Sequence, residues 1–218
     1  MNNFVVAIDG PAGSGKSSIS SIIANKLGFT HIDTGAMYRA VTYEALRLNI
    51  NLDDENNYDF IDNIEIINKL GKTYLNGKDI SKEIREKNVT NNVSTVSKFK
   101  RVRNKMVDFQ RASAKGLVLM DGRDIGTVVL PFADLKIFLT ASAECRAKRR
   151  CLQNEEMGIE ANYDVILEEI KNRDYKDSHR EISPLKQADD AILIDTSDMT
   201  IDEVVNKIIY LINEKMRG

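Results

Sequence analysis

The sequence predicts an α/β fold, a parallel sheet flanked by helices, on three observations. Short apolar runs alternate with helix-length amphipathic segments, and the longest runs are nearly continuous in apolar residues, as strands covered on both faces are. Several runs end at an aspartate, namely Asp9, Asp33, Asp121 and Asp195, which suits the ligand-facing carboxyl ends of a parallel sheet. A glycine-rich turn, "GPAGSGKSS", joins the first run to the first helical pattern. One main domain is expected, because 218 residues suffice for one substantial core and are too few for two large ones.

The first strand reads as Phe4 to Ile8. Gly10, then four residues, then Gly15-Lys16-Ser17 is the spacing of a phosphate loop. The small residues Gly10, Pro11, Ala12, Gly13, Ser14 and Gly15 let backbone N–H groups converge on one space, and the helix behind adds its positive end. Lys16 is placed to reach β and γ oxygens, Ser17 to ligate Mg²⁺, and Ser18 completes the loop. This loop binds nucleotide without naming a reaction. Ile19, Ile22, Ile23 and Leu27 give the following helix its apolar stripe, and Gly28 its stop.

A shorter strand, Thr30 to Ile32, ends at Asp33, and "DTGAMYRA" opens a helix at Thr34 and Gly35. Tyr38 and Arg39 fall one turn in, where a guanidinium can hold phosphate; the plain alternative puts Tyr38 in the core and Arg39 in solvent. Between roughly Ile61 and Glu86 the pattern changes, and Asn76-Gly77 signals a two-residue hairpin. A small antiparallel insertion is expected there, packed on the main sheet as a mobile lobe. The basic run Lys98 to Lys105 is read as a solvated face.

The strand Leu117 to Met120 leads into "DGRDIGT". Arg123 can neutralise phosphate there and Asp124 can accept from an exocyclic amine, unless the two simply close a tight turn on each other. After the strand Leu135 to Leu139 come two basic helices. Arg146, Arg149 and Arg150 share one face, as do Arg173, Asp177 and Arg180. Like charges packed together want an anion among them, so the pair reads as a lid, against the plain reading of solvated charge. The strand Ala191 to Ile194 and a helix with a Thr200/Glu203 capping box and a Val204, Ile208, Leu211, Ile212 stripe close the chain.

A formal net charge of −2 argues against a bulk nucleic-acid or membrane binder. Cys145 and Cys151 form neither a CxxC pair nor a cluster with histidines, so reduced thiols in a cytoplasm are expected. The apolar run before Asp9 is too short for a signal or a membrane span. His31 and His179 receive little weight, the first assigned to a buried strand and the second to the lid surface. The guanine-reading pattern Asn-Lys-x-Asp is missing, since Asn104-Lys105 runs on to Asp108 one residue too long; this argues against a GTPase switch. A nucleic-acid-binding ATPase would lean on Lys98 to Lys105 alone.

Taken in order, "GPAGSGKS", "DTGAMYRA", "NVSTVSKFKRVR", "DGRDIGTVV" and "RDYKDSHRE" resemble the bacterial cytidylate kinases, nearly end to end. The resemblance implies a phosphate-loop nucleoside monophosphate kinase fold with a five-stranded parallel core. It implies a core of residues 1–60, 87–144 and 182–218, a monophosphate-binding insertion at about 61–86 and a helical lid at about 145–181. By position it implies that Ser94, Arg103 and Asp124 recognise cytosine, that Asp177 takes the ribose hydroxyls with Arg173 nearby, and that Arg39, Arg123 and Arg180 hold the monophosphate, with Tyr38 and Thr34 shaping the pocket. Lys16, Arg123, Arg149 and Arg180 would serve the transfer itself. Thr34 stands where other members often carry Ser, and Ser17-Ser18 where Ser-Thr or Gly-Thr is common; both keep the hydroxyl. ATP with Mg²⁺ as phosphoryl donor, CMP or dCMP as acceptor, no nucleic-acid or membrane partner, and a monomer are the corresponding expectations.

Overall fold

The computed structural model describes residues 3–69, 71–156 and 158–217. Strand β1 (Phe4–Asp9) is buried along its whole length and forms the centre of a five-stranded parallel sheet. Helix α1 (Lys16–Leu27), β2 (Thr30–Asp33) and α2 (Thr34–Arg47) follow. Beyond a 3₁₀ segment at Glu55–Asn63 come β3 (Ile66–Lys69), β4 (Lys72–Leu75) and β5 (Lys78–Asp79), a separate antiparallel sheet. Then α3 (Lys87–Val96) and α4 (Lys100–Ser113) lead to β6 (Leu117–Gly122) and a single π turn at Ile125–Val129. Strand β7 (Leu135–Thr140), helices α5 (Ala143–Glu156) and α6 (Tyr163–His179), strand β8 (Ile192–Asp195) and α7 (Ile201–Arg217) complete the chain.

The large sheet has the order β2-β6-β1-β7-β8. Side chains alternate across a strand, so β1 contributes Ala7 to one core and Val6 and Ile8 to another. The first core lies under α2, α3, α4 and the small sheet; the second lies under α1 and α7. Burying each such Val or Ile stabilises the fold by about 1.5–3 kcal/mol. This makes β1 a rigid mount for the loop that leaves its end.

Local signals are met in detail. Asn76 and Gly77 both take positive φ, 48° and 79°, the conformation of a type I′ hairpin turn. Glu203 accepts from the Thr200 N–H at 2.8 Å, and Thr200 Oγ1 accepts from the Glu203 N–H at 3.3 Å, which is the reciprocal capping box. The last strand departs from expectation. It begins at Ile192, and as the sheet's outer strand it leaves Leu193 half exposed while Ile194 enters the core. An apolar run alone does not distinguish an edge strand from a central one.

Three of the five cations in the basic run are paired with carboxylates. Lys98 meets Asp53 at 3.0 Å, Arg101 pairs with Asp59 and Asp62, and Arg103 turns inward. Among the described residues, no helix is long and apolar enough to cross a membrane.

Candidate active site

Because β1 and β6 are neighbours, the phosphate loop after Asp9 and the turn after Gly122 open into one cleft of about 650 Å³. Loop geometry begins with Gly10. A Cβ there would stand 2.0 Å from the Leu139 carbonyl oxygen on β7, so no side chain fits between the two strands. Gly15 caps α1 with φ 87°, a left-handed conformation that glycine adopts at no steric cost. The α1 N-terminus thereby faces the cleft.

Lys16 is buried and folds back on the loop, donating to the Pro11 carbonyl at 2.6 Å and to Ser14 Oγ at 3.2 Å. Burial first, then the nearby Arg123 charge, holds its ammonium well below the usual lysine range. An incoming polyphosphate would reverse that shift. Ser17 Oγ donates to Asp121 Oδ2 at 2.7 Å.

Asp9 supports the turn from below, accepting from the N–H groups of Ile125 at 2.8 Å and Gly126 at 2.7 Å. Burial pushes its carboxyl up to about 6, against the pull of those two bonds. The folded state therefore binds the proton more tightly than the unfolded chain, whose value is 3.8. The resulting stabilisation is complete below the unfolded value and is lost as pH rises through about 6, roughly 3 kcal/mol in all. The unfolding free energy of the wild type relative to Asp9→Asn should accordingly fall by about 2–3 kcal/mol between pH 4 and pH 7.5. A pH-independent difference would mean an ordinary carboxyl.

The far end of the cleft is a network of charges from five elements. Asp33 caps α2 by accepting from the Ala36 N–H at 2.9 Å and also receives Arg39 at 3.1 Å. Arg103 on α4, 2% exposed, pairs with Asp124, donates to the Ser97 carbonyl at 3.1 Å and lies 5.5 Å above the Tyr38 ring. Burial pushes the Tyr38 hydroxyl up to about 12. Arg123 does not close on its neighbour Asp124; its Nε donates to Asp177 Oδ2 on α6 at 2.9 Å. The local Arg123–Asp124 turn is thus excluded. Ser94 Oγ stands 3.4 Å from Asp177 Oδ1. Burial would raise the Asp177 carboxyl, but the Arg123 and Arg173 charges outweigh it and hold it below the usual range.

Arg180, one residue past α6, donates to the Ser183 carbonyl at 2.6 Å, and its Nη2 is 3.7 Å from Asp124 Oδ1. That is ion-pair range but too long for a hydrogen bond. Arg173 is half-buried, and burial with the adjacent Arg123 lowers its guanidinium to about 10. Among the described residues, Arg39 Nε, Arg103 Nε, Arg173 Nε and Arg180 Nη2 are buried donors without partners, all in this cleft. Buried guanidinium donors left unpaired mark a seat for an anion.

The lid arginines diverge. Arg146 is buried and ties α5 to the phosphate loop and to α6, donating to the Ala12 carbonyl at 2.9 Å and to Asp174 at 2.6 Å. Arg149 donates to Thr196, at 2.5 Å to its carbonyl and 3.1 Å to its hydroxyl, at the cleft's other end. Arg150 pairs with Gln153 in solvent. Interleaved Asp174 and Asp177 thus absorb much of the charge that a reading by sign alone assigns to an anion. Thr34 donates to the Asp121 carbonyl at 2.8 Å.

Two features escaped the sequence reading. Arg146 reaches the loop only because α5 begins beside it. His31 is half-buried on outer strand β2, with Nε2 2.6 Å from Asp121 Oδ1. Burial lowers its pKa, but the bond to Asp121 and the charges of Asp121 and Asp33 outweigh this and raise it. His179 stacks on Tyr175 at the surface.

Similarity to known proteins extends over nearly the whole chain. The profile of one family, cytidylate kinase, matches residues 6–214. A cytidylate kinase of Acholeplasma laidlawii is 52% identical over 213 residues, covering 97% of this chain and 96% of that protein. A cytidylate kinase of Lactobacillus johnsonii is 54% identical over 227 residues, with 98% and 95% covered. The crystal structure of an uncharacterized protein from Eubacterium ventriosum aligns with a TM-score of 0.53 at 14% identity, covering 96% of this chain and 98% of that one, a likeness of fold alone.

Proposed function

The chain belongs to the cytidylate kinase family, and from that premise we propose that it transfers the γ-phosphoryl group of ATP to CMP and dCMP, yielding ADP and the diphosphate. The observation that carries this reading is the set of buried guanidinium N–H groups without hydrogen-bond partners that line the same cleft as the phosphate loop. A second phosphate seat opposite the first is what a monophosphate acceptor requires.

In this reading Gly10 to Ser18 hold the donor's phosphates, and Arg39, Arg123 and Arg180 hold the acceptor's. Asp177 receives the ribose hydroxyls, with Arg173 between sugar and phosphate. Ser94, Arg103 and Asp124 read cytosine, against a wall formed by Tyr38 and Thr34. Asp124 Oδ2 is already engaged by Arg103; Oδ1, beyond hydrogen-bond reach of Arg180, is left to accept from the exocyclic amine.

The acceptor is an ionised phosphate oxygen, so no general base is needed. It attacks the γ-phosphorus as the bond to the ADP oxygen breaks and the electron pair leaves with ADP. Catalysis consists of alignment and of neutralising charge on the transferring group, the task of Lys16 with Arg123, Arg149 and Arg180. The Ser17 hydroxyl, a hard oxygen backed by the buried Asp121 carboxylate, fits Mg²⁺ better than any soft metal. When bound, Mg²⁺ supplies neutralisation of the donor's phosphates. Closure of residues 61–86 and 145–181 over both nucleotides excludes water and suppresses ATP hydrolysis. We assign the enzyme to the cytoplasm as a monomer, where its two free thiols stay reduced.

ADP production from ATP and Mg²⁺, with CMP, dCMP, UMP, AMP and GMP offered separately, tests the reading. CMP and dCMP should stimulate turnover by at least about tenfold over the other three. Lack of stimulation by any of the five would remove the kinase assignment and leave only a nucleotide-binding loop.

A further inference from the structure

Asp121 sits at the end of β6 with 2% of its surface exposed. A buried carboxylate needs partners on both oxygens, and here they come from different parts of the chain. Ser17 of α1 donates to Oδ2 at 2.7 Å, and His31 of β2 holds Oδ1 at 2.6 Å. Among the described residues these are the only side chains hydrogen-bonded to that carboxylate. Three side chains from three elements thus form a line that ends at the hydroxyl of the phosphate loop.

A serine hydroxyl has one proton and two lone pairs. Giving the proton to Asp121 turns the lone pairs toward the cleft, the direction a cation on the nucleotide would require. A carboxylate held at one oxygen can swivel about its own axis, and with it the direction of the hydroxyl. Held at both, it cannot. Partners behind a ligand set its orientation in this way and commonly matter almost as much as the ligand.

We propose that His31 is a positioning residue for the metal–nucleotide complex, fixing the Ser17 hydroxyl through Asp121. The inference rests on the reading of Ser17 as the Mg²⁺ hydroxyl. It adds a residue that touches neither nucleotide nor metal.

Displacement of a fluorescent ATP analogue from the full chain by ATP, once with Mg²⁺ and once with EDTA, measures how much the metal tightens binding, independently of turnover. His31→Leu should lose about tenfold of that metal-dependent gain while its affinity for metal-free ATP stays at the wild-type value. His31→Gln, whose amide nitrogen reaches the position of Nε2, should keep the gain. His31→Asn, one methylene shorter, should lose it as His31→Leu does, and it stands in should the leucine variant not fold. In steady state the losing variants should raise KM for MgATP and leave KM for CMP unchanged. Retention of the gain by His31→Leu or His31→Asn, or an equal loss of metal-free ATP affinity, overturns the proposal. Ser17→Ala separates the two readings. If it keeps the metal-dependent gain, the assignment of Ser17 fails; if it loses the gain and the His31 variants do not, His31 alone is misassigned.

Discussion

Lys16→Ala is expected to lower kcat by about 10³-fold, the upper range for removing one preorganised charge donor from a dry site, with little change in KM for CMP. The reason lies in where the ammonium is held. Nζ is buried in the phosphate loop and, among the described residues, hydrogen-bonds only to the neutral Pro11 carbonyl and Ser14 hydroxyl. Burial and Arg123 oppose its charge, so its ionised form is poorly stabilised until polyphosphate arrives. The interaction is strongest where negative charge is greatest, on the transferring group, and a contribution realised mainly there appears in kcat. The fold should survive, since alanine removes a buried cation and leaves only the Pro11 carbonyl and the Ser14 hydroxyl oxygen short of its donor. Steady-state rates with a thermal unfolding curve as control check this. A loss in kcat below about tenfold would show that the arginines carry the transfer without Lys16.

The second large effect concerns Asp124. Asp124→Ala removes the carboxylate from Arg103, which is 2% exposed, and also from Arg180 at 3.7 Å. Stranding a buried charge costs about 3–5 kcal/mol, and the low end is expected because Arg103 keeps the Ser97 carbonyl and the Tyr38 face. The same change should erode the preference for CMP over UMP by roughly ten- to hundredfold, the span of one to three kcal/mol for a hydrogen bond that reads a base. Asp124→Asn separates the two consequences. Its amide keeps an acceptor for Arg103 but offers a donor where the substrate's amine would sit, so it should fold well and shift preference toward UMP. Urea unfolding measures the first effect, and kcat/KM for the two acceptors the second. An unchanged acceptor ratio in both variants would remove Asp124 from base recognition and leave it a purely structural partner of Arg103.

The two cases differ in how visible they are along the chain. Lys16 stands in a run of nine residues whose spacing already implies its task, and the structure adds its two hydrogen bonds. In "DGRDIGT" the sequence shows Asp124 as a candidate acceptor beside its neighbour Arg123. In the structure its partner is Arg103, twenty-one positions away, while Arg123 reaches 54 positions on to Asp177. Both adjacent residues are paired, but with partners on other elements.

By itself the sequence determined what depends on a few consecutive residues. These are the phosphate loop, the Asn76-Gly77 turn, the Thr200/Glu203 cap, and the alternation of strands and helices that makes a parallel sheet. Each is decided by backbone preference, capping chemistry or side-chain period, which act over one or two turns of chain. Only the tertiary structure decided which charge meets which: Arg103 with Asp124, Arg123 with Asp177, Arg146 with the loop carbonyl, His31 with Asp121. It also put β8 at an edge with Leu193 half exposed. The physical reason is that a charge interacts with whatever lies within a few ångströms. Those neighbours are set by the strand order β2-β6-β1-β7-β8, which brings Ser17, His31 and Asp121 together from three separate stretches of chain.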